Sequence, residues 1–301
     1  DTVAITVTAV NDAPVNTVPA AQTVDEDTAL VLSTDNSNLI SVADVDATNL
    51  TVKLTVTQGT LTLAQNTGLT INAGADGTAT VTFTGTKTDV NAALDGLSYT
   101  GASNYNGSDS IEVVVTDDNG TALSDTDTVA ITVTAVNDAP TVTNTDQALT
   151  FTEGGSAVAI ANSSNFALAD VESDTIDSIT FTVTNVTDGA AEVLNFDGSA
   201  IGLVATGSTA SSGGNNYVVT IDGTTATVTL TLASAATLSE ADTLIKAATY
   251  GNTSENPTQA ARVVSISVND GDDSITEALN TITVTAVNDA ATVTNTDQAT
   301  T

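Results

Sequence analysis

Cysteine, methionine, tryptophan and histidine are all absent from the 301 residues. Without thiols and imidazoles the chain can form no disulfide, no zinc site of the usual kind and no serine–histidine triad. Only 4 lysines and arginines stand against 37 aspartates and glutamates, which gives a formal net charge of -33. This balance argues against nucleic acid and anionic lipid as partners, because both need clustered cations. It favours a hard divalent cation bound by oxygen atoms, unless the acidity only keeps the protein soluble.

Long apolar runs are also missing. Aromatic residues make up 3% of the chain, and no stretch approaches the roughly 20 apolar residues of a membrane span. No basic and apolar leader opens the chain at Asp1. We therefore expect a window from a longer secreted or cell-surface protein that does not insert into membranes.

The chain repeats one phrase three times. TVAITVTAVNDAP occupies residues 2–14 and returns unchanged at residues 128–140, and the looser NTITVTAVNDAA follows at residues 280–291. The segment TVTNTDQA after the second copy recurs after the third, at residues 292–299. Units of more than 100 residues are long enough to bury their own cores, so the repetition indicates tandem domains.

These spacings predict two whole repeats between two partial ones. The predicted segments are the last strand and linker of a preceding repeat at 1–14, repeat 1 at 15–140, repeat 2 at 141–291, and the first strand of a following repeat at 292–301.

Within each repeat the apolar residues alternate with a period of two. Val52, Leu54 and Val56 in repeat 1 show the pattern, and so do Val264 and Ile266 in repeat 2. Such alternation predicts half-buried strands, and clusters of Gly, Asn and Asp separate the strands as turns. The expected fold is an all-β, two-sheet sandwich in each repeat.

One short helix is expected in each repeat as a crossover between the sheets. Thr237 and Glu240 have the spacing of a capping box, and the apolar residues that follow share one helical face. The segment TDVNAALDGLSY, at residues 88–99, is its counterpart in repeat 1.

Acidic residues recur at fixed places in both repeats. About thirty residues after each Val-Asn-Asp comes an acidic pair, an isolated Glu precedes the pair, and a further cluster ends a late strand. Carboxylates at alternate positions of an extended segment point to one side and can chelate one ion, although Asp is also common in ordinary turns. The residues are Asp44 and Asp46, Asp170 and Glu172, Glu26 and Glu153, and Asp117, Asp118 and Asp270.

This order of motifs resembles the cadherin repeat, and closely the cadherin-like repeats of very large secreted bacterial surface adhesins, in which VNDAP ends are typical. The resemblance covers both whole repeats. It implies antiparallel β-sandwiches of cadherin or Ig-like Greek-key topology in an elongated array, with Ca²⁺ between successive domains stiffening the string.

The resemblance also implies calcium ligands. The first junction would use Asn11, Asp12, Asp44, Asp46 and Asp117, and the middle junction would use Asn137, Asp138, Asp170, Glu172 and Asp270, with Glu26 reaching in from the domain before. Asn106 and Asp109 would stand in for the family's acidic motif before the penultimate strand. The third junction departs from the pattern, because Ala291 replaces proline and no acidic pair follows.

Other chemistry fits the sequence less well. Paired acids can mark a glycosidase, but a catalytic pair duplicated at repeat ends would be unusual. Lys53 lies between Val52 and Leu54, which places it on the solvent face rather than in an intramolecular amide bond. The prediction is a non-enzyme whose partners are neighbouring repeats or head-to-tail copies. It is either a spacer that projects an adhesive region, a glycan- or protein-binding module with a cell-surface or matrix ligand, or a unit of a surface filament or layer.

Overall fold

The computed structural model describes two compact units, Asp1–Val136 (unit 1) and Asn137–Thr301 (unit 2). The predicted ligand Glu172, the substitution at Ala291 and the segment 292–301 lie outside the described residues. No helix in the described part of the chain is long and apolar enough to cross a membrane. The described residues are 2–7, 10–171, 175–204, 206–210 and 214–290.

Unit 1 contains eleven of the described strands and one α-helix. They are β1 (Val15–Thr17), β2 (Gln22–Asp25), β3 (Ala29–Leu32), β4 (Ser41–Ala43), β5 (Asn49–Thr55), β6 (Gly59–Thr62), β7 (Thr70–Gly74), β8 (Thr80–Thr86), α1 (Lys87–Leu94), β9 (Leu97–Gly101), β10 (Gly107–Asp117) and β11 (Ser124–Thr134).

These strands form a sandwich around one apolar core. A six-stranded sheet has the order β2-β11-β10-β5-β8-β7, a three-stranded sheet has the order β3-β9-β6, and β1 pairs with β4. Inward residues of both larger sheets, such as Phe83, Val113 and Tyr99, are fully buried in the same cluster. The alternating pattern of the sequence therefore marks the inner faces, and Lys53 lies on the outer face of β5 with its side chain exposed.

Unit 2 repeats this plan with additional elements. They are β12 (Thr141–Thr143), β13 (Leu149–Thr152), β14 (Val158–Ala159), β15 (Ala167–Ala169), β16 (Thr175–Val183), a 3-10 turn (Gly189–Ala191), β17 (Glu192–Phe196), β18 (Ser199–Gly202), β19 (Gly207–Ala210), β20 (Asn216–Asp222), β21 (Thr225–Thr237), α2 (Leu238–Ala247), β22 (Thr249–Asn252), β23 (Arg262–Asn269) and β24 (Ser274–Thr285).

The sheets of unit 2 correspond to those of unit 1. The large sheet has the order β13-β24-β23-β16-β21-β20-β19, the facing sheet has the order β14-β22-β17-β18, and β12 pairs with β15. The strands β18 and β19 extend the two sheets by one strand each. They lie in the connection between β17 and β20, at residues 197–215, where unit 1 has only residues 63–69 between β6 and β7.

Each large sheet contains one parallel pair, so the sandwiches are not purely antiparallel. β2 runs parallel to β11, and β13 runs parallel to β24. The first strand of each large sheet in chain order thus lies beside the last one, and both run toward the same end of the unit. This pairing determines which acidic residues share an end.

The crossover helices occupy the predicted places. α1 follows β8 of the large sheet and precedes β9 of the facing sheet, and α2 connects β21 and β22 in the same way. Thr237 caps α2 in a complete capping box: its side chain accepts from the N–H of Glu240, and the Glu240 side chain accepts from the N–H of Thr237. Ala241 and Ile245 of α2 face the core.

The repeated phrase adopts two different structures. Its second copy forms the end of β11, where Val129, Ile131 and Val133 are at most 3% exposed. In the first copy residues 2–7 form no strand, and Val3, Ile5 and Val7 are 82–87% exposed. Identical residues become a strand only where β10 and β2 supply hydrogen-bonding partners, because an isolated strand leaves its backbone and apolar face in water.

Candidate functional site

Strand pairing brings the linker and the acidic pair together in unit 1. In the antiparallel register of β1 and β4, Val15 lies opposite Ala43. The linker residues that precede Val15 therefore lie next to Asp44, which directly follows Ala43. In the six-stranded sheet, Asp117 at the end of β10 pairs with Leu50 of β5, and β5 begins just after the acidic pair. Three separate segments thus converge on one end of the unit.

Asn11 joins this end of unit 1 through a side-chain contact. Its Nδ2 donates to Oδ2 of Asp117 at 2.9 Å and to the carbonyl oxygen of Thr121 at 3.1 Å. The Asp117 carboxylate also accepts from the backbone of Asn119 and Leu123, and only 5% of the residue is exposed. The Asn11 Oδ1 is buried and accepts no hydrogen bond among the described residues.

Asp44 forms a tight turn with the residues that follow it. Its Oδ1 accepts from the backbone N–H groups of Asp46 and Ala47, at 2.9 and 2.6 Å. Burial raises the pKa of the Asp44 carboxyl, but these hydrogen bonds, together with the charge of Lys87, hold the pKa below its ordinary value. The other oxygen, Oδ2, is buried and has no hydrogen-bond partner in the described structure. Asp44 is therefore an ionised group with one uncommitted oxygen.

The remaining acids at this end are less enclosed. Asp12 and Asp46 are exposed. Asp118 has a structural role, because its carboxylate accepts from the backbone of Thr48 and Asn49 and ties the acidic loop to the end of β10. Its pKa is lowered by these contacts, chiefly the side-chain hydrogen bond from Asn49.

Unit 2 repeats the amide–carboxylate contact. Asn137 Nδ2 donates to Oδ2 of Asp270 at 3.0 Å, and Oδ1 of Asp270 accepts from the backbone of Asp272 and Asp273. Burial raises the pKa of Asp270, but the hydrogen bonds from Asp273, Asn137 and Asp272 lower the pKa by more than burial raises it. The net shift of the pKa is therefore downward.

The acidic pair of unit 2 also starts beside the linker. In the pairing of β12 with β15, Thr141 lies opposite Ala169, which immediately precedes Asp170. Asp138 and Asp170 are both partly exposed. The position of Asp170 relative to its strand is therefore the same as that of Asp44 in unit 1.

An isolated glutamate marks the opposite end of each unit. Glu26 follows β2, and its Oε1 accepts from the N–H of Val136, just beyond β11, at 2.8 Å. Glu153 follows β13, and its Oε2 accepts from the N–H of Val287, just beyond β24, also at 2.8 Å. The second carboxylate oxygen of each glutamate is buried and accepts no hydrogen bond from the described residues. The next residue in each case has a positive φ, 53° at Asp27 and 69° at Gly154, which turns the chain sharply after the glutamate.

At this end of unit 2 the structure assembles three acids. Ligand oxygens of Glu153, Glu255 and Asp289 all lie within 4.8 Å of one another. Sequence reasoning did not predict this cluster, since the third junction lacks the proline and the following acidic pair. Glu255 precedes the penultimate strand β23, a place at which the sequence pattern predicted stand-ins in repeat 1 only.

Asp109, the predicted stand-in in repeat 1, is fully engaged within the unit. Its carboxylate accepts from Thr57 (N–H and Oγ1), Gln58 and Ser110, and from the hydroxyl of the buried Tyr99 at 3.1 Å. Only 8% of the residue is exposed. Burial raises the pKa of Asp109, and these contacts outweigh burial and lower it. Asp109 therefore holds the core together instead of presenting a free ligand.

A different buried charge occupies the start of β23 in unit 2. Arg262 and Glu192 are both 0% exposed. Arg262 donates two hydrogen bonds to the Glu192 carboxylate, from Nε to Oε2 at 3.0 Å and from Nη2 to Oε1 at 2.9 Å. Tyr250 donates to Glu192 Oε2 at 2.7 Å, and Asp188 lies 3.2 Å from Arg262 Nη2. The network uses one of the chain's few cations for the core, and sequence reasoning did not find it.

Comparisons with known proteins give limited matches. A family model described as the Protein GAMETE EXPRESSED 2 domain matches residues 29–126, which is less than half of the chain. No curated protein matches the chain.

The similar solved structures are cadherin domains. A protocadherin gammaB7 EC3-6 cis-dimer structure is 11% identical with a TM-score of 0.33, over 90% of this chain and 50% of that chain. Human mucin-like protocadherin EC1-2 is 12% identical with a TM-score of 0.35, over 91% of this chain and 99% of that one. Human CDH23 EC21-23 is 9% identical with a TM-score of 0.33, over 89% and 72%. The chain thus spans half the length of the gammaB7 structure. Sequence identities and TM-scores this low do not show that this chain shares a ligand or partner with those proteins.

Proposed function

We propose that the chain is a pair of calcium-binding structural repeats from a large extracellular surface protein, such as a bacterial adhesin, in which the repeats act as a spacer for a binding region. The proposed role is mechanical and not catalytic. The observation that carries it is that buried amide or carboxylate oxygens at the ends of the units, on Asn11, Asp44, Glu26 and Glu153, accept no hydrogen bond from the described residues.

The donor set suits calcium. The uncommitted buried oxygens at these places belong to Asn11, Asp44, Glu26 and Glu153, and each is a carboxylate or amide oxygen. A buried polar atom without a partner is costly and calls for a ligand, a water or an ion. Calcium binds six to eight oxygens and mixes carboxylates with amide and backbone carbonyls, so these residues fit it better than a transition metal.

Two sets of residues would hold calcium at the N-terminal ends of the units. In unit 1 the set is Asn11, Asp12, Asp44, Asp46 and Asp117. In unit 2 it is Asn137, Asp138, Asp170, Glu172 and Asp270, and we propose Glu26 as a ligand at the C-terminal end of unit 1. The cluster of Glu153, Glu255 and Asp289 would be the corresponding half of a further junction.

Calcium would stabilise these junctions electrostatically. Each set concentrates carboxylates in a chain of net charge -33, so without a cation the acids repel one another. A divalent ion removes this repulsion and connects segments that otherwise meet only through hydrogen bonds. A string of such junctions would be stiff with calcium and flexible without it, which suits a spacer.

Isothermal titration of calcium into the full chain tests the proposal. Extracellular modules bind calcium with dissociation constants of roughly 10⁻⁴–10⁻³ M, and we expect at least one site in that range or tighter. Asp138→Ala should weaken or remove one site while both sandwiches stay folded. Asp222→Ala is the matched control, since it removes an exposed carboxylate from the hairpin between β20 and β21. Absence of binding heat in the wild-type chain would refute the proposal.

A further inference from the structure

One of the four basic residues of the chain lies against the acidic end of unit 1. Lys87 is the first residue of α1, and its Nζ donates to the backbone carbonyl oxygen of Asp44 at 2.7 Å. The side chain is partly buried. An ammonium group is therefore fixed beside the loop that carries Asp44 and Asp46.

The position of Lys87 is unfavourable for the helix itself. The amino end of a helix carries partial positive charge, so acids stabilise it and lysines do not. Asp89 follows this rule, because it caps the first turn together with Thr86. The contact with Asp44 thus accounts for Lys87 better than helix stability does.

Unit 2 lacks this ammonium group. Its helix α2 begins in the same way, with Thr237 as the cap, but the first helical residue is Leu238, which packs against the apolar core. The two units thus place a cation and a hydrocarbon side chain at the same point of the fold.

We propose that Lys87 is a built-in counter-ion that lowers the calcium affinity of the N-terminal end of unit 1 relative to that of unit 2. This inference rests on the proposed calcium sites. The ammonium neutralises part of the acidic loop when calcium is absent, and its charge repels an incoming divalent ion. The two ends would then fill at different calcium concentrations.

Calcium titrations of single variants of the full chain test the inference. Lys87→Met keeps the length of the aliphatic chain and removes the charge, and we expect it to tighten the weakest site about tenfold, since one unit charge acts on a divalent ion at short range. Lys87→Arg keeps the charge and should bind calcium within about twofold of wild type. Lys53→Met is the matched control, because it removes the same charge from the exposed face of β5.

A double variant assigns the effect to this end of the unit. Adding Asp44→Asn to Lys87→Met should abolish the gain, whereas Asp270→Asn should leave it in place. The inference is overturned if Lys87→Met binds calcium with unchanged or lower affinity while the wild type binds normally. If neither protein binds calcium, both this inference and the proposed function fail.

Discussion

Replacing Arg262 with methionine should destabilise unit 2 by about 3 kcal/mol, because it leaves a buried carboxylate without its cation. Removing one partner of a buried ion pair costs roughly 3–5 kcal/mol. The lower end applies here, since Glu192 would still accept from Tyr250 and from the backbone N–H groups of Thr187 and Asp188. Arg262 also serves the carbonyl oxygens of Thr258 and Ala260, which would lose a donor.

Thermal unfolding monitored by calorimetry measures this effect. For a domain of this size, about 3 kcal/mol corresponds to a fall in Tm of roughly 6–12 °C. The fall should appear in one transition, that of unit 2, because unit 1 has its own core. Lys246→Met is the matched control, since its ion pair with Asp242 is a partly exposed helical pair worth about 0.3–0.5 kcal/mol.

The double variant Arg262→Met/Glu192→Leu tests whether the stability lost in Arg262→Met comes from the unpaired Glu192 carboxylate. Replacing a buried ion pair by apolar residues of similar size is often neutral, so the double variant should recover much of the stability lost in the single one. If Arg262→Met lowers Tm no more than Lys246→Met does, the network does not stabilise the core as described and the reasoning is wrong.

Two further predictions concern unit 1. Asp109→Asn should cost about 2 kcal/mol, since a charged acceptor loses hydrogen bonds from backbone and hydroxyl donors; urea unfolding at pH 7 measures this. Because the pKa of Asp109 is lowered in the folded unit, its contribution exists above the ordinary value of 3.8 and is lost as pH falls below it, so the gap between wild type and variant should close in acid. Hydrogen exchange should find residues 2–7 unprotected and residues 128–134 protected in the isolated chain. Equal protection of these two segments would show that the first copy has found a strand partner.

The sheets followed from the sequence because burial on one face of a strand leaves a period of two. Val52, Leu54, Val264 and Ile266 were assigned correctly to inner faces. The helix at Thr237 was also readable, since a capping box is a local signal. Such features depend on neighbours in the chain.

Features that depend on contacts between distant parts of the chain could not be predicted from the sequence. Nothing near Arg262 in the sequence shows that Glu192, seventy residues earlier, would be buried beside it. Asp109 looked like a ligand from its place before a strand, but Tyr99 and the backbone of Thr57 and Gln58 engage it. Glu255 joins Glu153 only through the fold.

The candidate site lies between these extremes. The repeated order of acids predicted the candidate ligands, and strand pairing explains why Asn11 contacts Asp117 and Asn137 contacts Asp270. The ligand set of each junction stays a prediction.

Calorimetric melting of the wild-type chain with calcium and with a chelator tests the central claim most directly. At calcium a hundredfold above the dissociation constant, a single site adds about 2.7 kcal/mol to the stability of the unit that holds it. We expect Tm to rise by roughly 5–11 °C in calcium, and magnesium at the same concentration should raise it less, because magnesium demands a stricter octahedral site. An identical Tm in calcium and in chelator would contradict the account and would leave the repeated acids of both units as turn residues only.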